Sequence, residues 1–242
     1  MTTSSADERI LSIDIGGSRI KATVLDTEGK MLKEYDRLDT PKPATPANVI
    51  SVICELVKDF GVYTKVSVGF PGYVRNGVVK TAPNLGTESW SGFDLSKELG
   101  ALLKQPVRVV NDADMQGLGI ASGKGLEMVI TLGTGFGTAL LMNGNLLPHF
   151  EIAHHPVSKD REYDEYIGNK ALTEAGVEKW NKRIRKVIAI LKTVYNYDHL
   201  YISGGNAKKL DFKVDDDTTV ATNMDGIKGG AKLWSNNNLY NI

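Results

Sequence analysis

The sequence predicts an α/β protein of two related lobes around a cleft, and three observations lead there. Short apolar runs of strand length recur at Ile10–Asp14, Lys65–Phe70, Val107–Val110, Met128–Leu132 and Leu200–Ser203. Most of them stop at a glycine turn, and Val107–Val110 stops at Asn111-Asp112. Segments of helical spacing lie between them, as in 48–60, where apolar residues fall at 49, 50, 53, 56, 57 and 60. The halves also repeat. Ile13-Asp14-Ile15-Gly16-Gly17 lines up with Ile130-Thr131-Leu132-Gly133-Thr134 at an offset of 131 − 14 = 117, and the match continues with Ala22 over Ala139 and Val24 over Leu141. Two glycine-turned hairpins can look alike by chance. The shared register, with a polar residue before each turn, weighs against that. The lobes are drawn at 1–112 and 113–242, with a closing helix at about 226–234 expected to pack back on the first lobe.

Taken in order, residues 1–8 read as a disordered lead-in. Ile10–Asp14, Ala22–Leu25 and Met31–Tyr35 form an antiparallel meander through Gly16-Gly17-Ser18 and Glu28-Gly29-Lys30. Thr40–Ala47 carries Pro41, Pro43 and Pro46 and reads as a loop. Leu95–Lys104 is a short helix. Asn143-Gly144-Asn145 is a hairpin turn, because Asn-Gly tolerates the positive φ such turns need. Ala171–Tyr195 reads as helical, and a further helix is expected after Gly204-Gly205.

The bulk numbers exclude several classes. A chain of 242 residues with 41% hydrophobic and 24% charged residues has an ordinary globular composition. Lys+Arg 29 balances Asp+Glu 29, so no global basic field argues for nucleic acid or an anionic membrane as partner. Cys54 is the single cysteine and lies in an apolar run, which points to a buried structural thiol and leaves no cysteine cluster for zinc. No apolar stretch approaches a membrane span, and Thr2–Glu8 lacks a signal-peptide core. A cytoplasmic enzyme or binding protein is expected.

The chemistry sits at the strand ends. Glycine turns let backbone N–H groups approach phosphate oxygens. Around Gly16, Gly17, Gly133, Gly135 and Gly137 stand the hydroxyls of Ser18, Thr131 and Thr134 and the charge of Lys21. Asp14 is placed to hold Mg²⁺ through water. Neither turn has the Gly-x-x-x-x-Gly-Lys-Ser/Thr pattern of a P-loop. In Asn111-Asp112-Ala113-Asp114, Asp112 suits a base that takes a proton from a hydroxyl, with Asn111 binding a neighbouring hydroxyl. The alternative is an Asn-Asp turn capping the next helix, with Asp114 the favoured acidic cap. Glu151 and His154, three apart, suit two adjacent sugar hydroxyls. Asn84 is a further candidate sugar contact, and Trp90 is either a stacking platform or, more commonly, core. Gly204-Gly205 can lie against a nucleotide.

Together and in this order, these motifs resemble the ROK family of sugar kinases and regulators, within the actin-like ATPase (ribonuclease H-like) superfamily, over about Ile10 to Trp234. Asp14-Ile15-Gly16-Gly17-Ser18-x-x-Lys21 resembles the family's first phosphate motif, Thr131–Gly137 the second, and Gly204-Gly205 the adenosine motif. The resemblance implies that Asn111 binds sugar, that Asp112 is catalytic and that Glu151-x-x-His154 is the sugar-binding Glu-x-Gly-His, with Ala153 in the glycine place. Most family kinases carry a zinc-binding cysteine motif soon after that histidine. Here the region reads Lys159-Asp160-Arg161-Glu162-Tyr163-Asp164-Glu165-Tyr166, without cysteine, so no zinc is expected and His154 is free for sugar. The family's second acidic sugar ligand falls at Asp164 or Glu165.

A zinc-free, short chain is similar to the branch of polyphosphate glucokinases and glucomannokinases. The resemblance therefore implies a hexose kinase acting on the 6-hydroxyl of glucose, with Mg²⁺ and ATP or polyphosphate as donor, and a homodimer. The alternatives are a kinase for mannose, fructose or an N-acetylhexosamine, and a non-catalytic sugar sensor. The basic run Lys179, Lys182, Arg183, Arg185, Lys186 is either a polyanion track or, the favoured reading, a solvated helix face. The short stretch ahead of the first strand speaks against a DNA-binding repressor.

Overall fold

The computed structural model describes residues 8–222 and 226–235, so most of the expected lead-in lies outside the described residues. Ile10–Ile15 (β1) and Arg19–Leu25 (β2) form an antiparallel hairpin, and Asp36–Asp39 (β3) pairs with the start of β2. Pro46–Val57 (α1) begins at Thr45, whose hydroxyl accepts the Asn48 N–H, and buries Val49, Ile50, Ile53, Leu56 and Val57. That is the face the apolar spacing marks out. Lys65–Phe70 (β4), Leu95–Leu103 (α2) and Val107–Asn111 (β5) complete a five-stranded sheet of order β3-β2-β1-β4-β5.

Asp112–Ile120 (α3) leads into the second half. There Leu126–Leu132 (β6), Phe136–Met142 (β7) and Asn145–Leu146 (β8) form the outer meander. Tyr163–Ile167 (α4), Asn169–Ala175 (α5) and Val177–Tyr195 (α6) precede His199–Ser203 (β9) and Thr218–Val220 (β10). The second sheet has the order β8-β7-β6-β9-β10, so the two sheets share one topology. Strand β7 stands at the same 136 − 19 = 117 offset from β2 that the sequence repeat carries.

Helix α3 is the join. Its Met115 and Leu118 share one apolar cluster with Val110 of the first sheet and with Val129, Ala139 and Leu141 of the second. The helix rides close to β7 because Gly117 has no side chain: a Cβ there would meet the Ala139 Cβ at 2.7 Å. After α3, the buried Glu127 carboxylate accepts from Ser122 N and Oγ, Gly123 N, Lys124 N and the Tyr201 hydroxyl. A buried carboxylate with that many donors is satisfied, and it fixes the loop.

A last short helix, Gly229–Lys232 (α7), returns to the first sheet. Ser67 Oγ donates to Gly230 O at 2.5 Å, Trp234 Nε1 donates to Ser67 Oγ at 2.9 Å, and the Arg108 guanidinium lies 4.4 Å from the Trp234 ring centroid. Among the described residues, no helix is long and apolar enough to cross a membrane.

Three expectations about elements need correction. The third strand is Asp36–Asp39 rather than Met31–Tyr35; Met31 makes only an isolated bridge to Leu25. Asp26 accepts from the Glu28 and Lys30 amides, and that wide turn delays the return of the chain to the sheet. The helix expected over Ala171–Tyr195 is two helices, because Gly176, at φ +75°, ends α5 and starts α6. Directly after Gly205 the chain makes a 3₁₀ turn, Ala207–Lys209, in place of the expected helix.

Contact between α7 and α3 depends on one glycine. A Cβ on Gly229 would run into the Met115 carbonyl. Gly229→Ala should lower the denaturant midpoint without changing the slope, by about 1–3 kcal/mol of stability. An unchanged midpoint in a urea titration would show that this approach is slack.

Candidate functional site

Strand register brings the first set of groups together. Asp14 of β1 pairs across the hairpin with Lys21 of β2, which places both side chains on one face, and Lys21 Nζ lies 3.5 Å from Asp14 Oδ2. Gly16 closes the turn by donating to Arg19 O at 2.9 Å; a Cβ there would itself sit 2.9 Å from that oxygen. Thr40 pins the turn from outside, its hydroxyl donating to Gly16 O and its N–H to Ser18 O. Asn84 lies against the same turn, 3.5 Å from where a Gly17 Cβ would stand.

The second turn is held from behind. Gly133 N donates to Gly135 O, Asn169 N to Thr134 O, and Asn206 Nδ2 to Gly133 O. Gly204, at φ +94°, packs on the backbone of Leu132, so the Gly204-Gly205 corner adjoins this turn. A Cβ on Gly137 would stand 2.9 Å from the Ala113 Cβ. That contact sets the second turn against the first turn of α3, beside Asp112.

Asn111, rather than Asp114, caps α3. Its Oδ1 accepts the Ala113 N–H at 2.8 Å, and its Nδ2 donates to Gly72 O at 3.1 Å. Gly69 on the neighbouring strand lets the helix start close to the sheet; a Cβ there would be 3.3 Å from the Asp112 Cα. Asp112 stands where the ends of both sheets converge. Burial, with the negative charges of Asp14 and Asp114, raises its carboxyl to about 7, against the opposing Ala113 N–H and His149. Burial raises Asp14 too, with Lys21 pulling the other way. Tyr35 feels the same charge: burial and Asp14 push its phenol up to about 12.

Asp114 is buried, and its Oδ2 is 2.9 Å from Nδ1 of His149. No sequence motif singles out His149, because an isolated histidine in a loop carries no spacing signal. Its other nitrogen faces Glu151, whose Oε1 also receives the Thr81 hydroxyl at 3.4 Å. Burial works against ionised Glu151, yet His149, His154 and Thr81 together hold its pKa below the usual value.

Glu151 and His154 do not share a partner. The 3₁₀ turn Ile152–His154 swings His154 outward, where its half-exposed ring meets Glu162 Oε2 at 2.9 Å. Asp164 is also differently employed: its Oδ1 accepts the Phe136 N–H at 2.6 Å, because α4 packs directly behind the second turn. Glu165 accepts from the Glu162 N–H in a capping box. Trp90 is core, packed on Phe70 and donating to Ala44 O. Cys54 is half-buried, and burial raises its thiol above the ordinary value.

The basic run of α6 is largely engaged with its own surroundings. Lys182 pairs with Glu178, Arg183 and Lys186 lie over Tyr166, and Arg185 lies over Phe212 near Asp211. Among the described residues, no group of three His, Cys, Asp or Glu is arranged to hold a metal ion. Mg²⁺ needs less from a protein when phosphates supply its other oxygens: one or two carboxylates and water suffice. Asp14, beside Lys21 at the first turn, fits that smaller requirement.

The ROK family model matches residues 10–157. A polyphosphate glucokinase of Mycobacterium tuberculosis is 36% identical over 208 residues, which cover 82% of this chain and 78% of that protein. Among solved structures, the inorganic polyphosphate/ATP-glucomannokinase of Arthrobacter sp. strain KM superposes with a TM-score of 0.82 at 30% identity, covering 93% of this chain and 97% of that one. A ROK family glucokinase from Streptomyces griseus, in complex with glucose and AMPPNP, matches with a TM-score of 0.77 at 20% identity over 93% and 98% of the two chains, which speaks to the fold alone.

Titration tests the electrostatics directly. Carboxyl ¹³C shifts should place the Asp112 midpoint near 7, and Asp14→Asn should lower it by removing a negative neighbour. A midpoint in the ordinary aspartate range would contradict the burial described above.

Proposed function

The chain belongs to the ROK family, and we propose that it is a hexose kinase that moves a terminal phosphoryl group from ATP or polyphosphate to the 6-hydroxyl of glucose. One observation carries the reading: Asp112, half-buried and lifted to about 7, stands between two glycine turns of the kind that cradle phosphate. A base works best when its pKa lies near the working pH. The mycobacterial relative and the Arthrobacter structure carry polyphosphate in their names, which supports that donor beside ATP.

In this reading Asp112 takes the proton of the attacking hydroxyl. Asn111 and Glu151 orient the sugar, with Asn84 at the first turn; His154, bonded to Glu162, and Asp164, bonded to the Phe136 N–H, hold the loop and the second turn around it. The turns at Gly16, Gly17 and Ser18 and at Gly133, Thr134, Gly135 and Gly137, with the hydroxyl of Thr131 and the charge of Lys21, hold the donor phosphates, while Gly204 and Gly205 flank an adenosine. Asp14 would hold Mg²⁺ through water, and the ion when bound supplies charge neutralisation at the phosphates. No zinc has a part. Most of the acceleration comes from positioning and charge stabilisation. We assign the reaction to the cytoplasm. The working form is a homodimer, for which the exposed Phe150 and Val194 at the rim of an apolar groove of about 350 Å³ offer a contact face.

A coupled assay of glucose, mannose, fructose and N-acetylhexosamines against ATP and polyphosphate, with and without Mg²⁺, tests the reading. Mannose belongs in the panel because the Arthrobacter relative is a glucomannokinase. Asp112→Asn should lower turnover by roughly 10²–10⁴-fold while leaving sugar binding in place. A variant that keeps more than about a tenth of the wild-type rate would refute the base assignment. For wild type, kcat/KM should fall on the acid side of about pH 7, since the raised carboxyl is protonated there. Val194→Glu should shift sedimentation from dimer to monomer; an unaltered dimer would move the interface elsewhere.

A further inference from the structure

His149 is buried at a meeting point of three segments. Its side chain is 6% exposed. Asp114 of α3 approaches Nδ1 at 2.9 Å, and Glu151, two residues on, holds Oε1 3.8 Å from Nε2. From the first half, the Tyr73 ring stacks over the imidazole with centroids 6.0 Å apart and planes at 24°. Neither ring nitrogen makes a well-angled hydrogen bond within the protein. For a buried imidazole this is unusual, since buried polar groups are nearly always satisfied.

The Glu151 side explains what the imidazole is set up to do. The Thr81 hydroxyl donates to Oε1 at 3.4 Å while accepting the Tyr73 N–H at 3.0 Å. His149 and Thr81 therefore converge on one oxygen, from opposite halves of the molecule, and Oε2 takes part in neither contact. A distance of 3.8 Å exceeds hydrogen-bond reach, but such contacts tighten when a site closes on its ligand.

Resting on the reading that Glu151 binds the sugar, we propose that His149 is a positioning residue: held by Asp114, it fixes Oε1 of Glu151 so that Oε2 faces a hexose hydroxyl. The chain of contacts runs Asp114, His149, Glu151, sugar. Burial alone would push the imidazole down, but Asp114 and Glu151 lift it to about 10. It is thus a cation throughout the neutral range. Asp114, Glu151 and the Tyr73 ring face it directly, and its charge reaches Asp112. Its stabilising charge is fully present below about 6.5 and is lost as pH rises towards 10.

A double-mutant cycle on sugar affinity tests this, with glucose as the probe. Wild type, His149→Gln, Glu151→Gln and the double variant are compared by calorimetry without donor and by steady-state kinetics. His149→Gln should weaken glucose binding and raise the glucose KM roughly tenfold or more, the size of one charge-assisted hydrogen bond, with the donor KM unchanged. The double variant should be no weaker than Glu151→Gln alone, because His149 acts through that carboxylate. Additive losses, or a parallel rise in donor KM, would overturn the proposal in favour of a merely structural role. If His149→Gln fails to fold because Asp114 is stranded, the cycle is run in an Asp114→Asn background. A wild type that binds glucose but transfers no phosphoryl group would sink the kinase reading while leaving the binding cycle to judge His149. A wild type that binds no hexose would sink both.

Discussion

The side chain of Asn111 makes two hydrogen bonds, one to the Ala113 amide and one to the Gly72 carbonyl, and the site is arranged around them. The first fixes where β5 stops and α3 begins. The second ties that corner to the loop after β4. Asp112 then has little choice of direction, because the helix start is pressed against Gly69 on one side and Gly137 approaches Ala113 on the other. Both sheets deliver their glycine turns to this corner, since both are wound in the same order and α3 joins one to the other.

Charge at the corner is unevenly matched. Asp14, Asp112, Asp114 and Glu151 face Lys21 and His149, so carboxylates outnumber cations in a place suited to an anionic donor. Burial relieves part of that conflict by raising the Asp112 carboxyl. The remaining acids are divided: Asp14 is beside Lys21, and Asp114 and Glu151 are beside His149. The two cations thus divide the acids into a pair of separate groups, one at the first glycine turn and one around the imidazole.

Much of this was legible in the sequence, and the boundary is physical. Hairpins, glycine turns and strand ends are set by neighbours a few residues away. The repeat at offset 117, the helical face of 49–57 and the placing of Asp14 and Lys21 at the first turn could therefore be read directly. Partner choice among polar side chains depends on distant packing. Asp164 turns to the Phe136 amide because α4 sits behind the second turn, and His154 turns to Glu162 because a 3₁₀ turn rotates it away. The third strand slipped from Met31–Tyr35 to Asp36–Asp39 because Asp26 widens the turn, a local cue that outweighed β propensity. His149 left no signal at all, since its surroundings come from three segments meeting around it.

The return of Gly229–Lys232 to the first sheet also bears on how the chain is made. Ser67 waits for a carbonyl 163 residues further along, and the Trp234 indole that seals the same spot comes later still. On a ribosome, the first sheet emerges with Ser67, Arg108 and the flank of α3 still uncovered. Contacts so far apart along the chain form slowly and late. The first half must therefore persist half-finished while the second half is made, exposing apolar surface during that interval. The first sheet is covered only once Gly229–Lys232 and Trp234 have folded back over it.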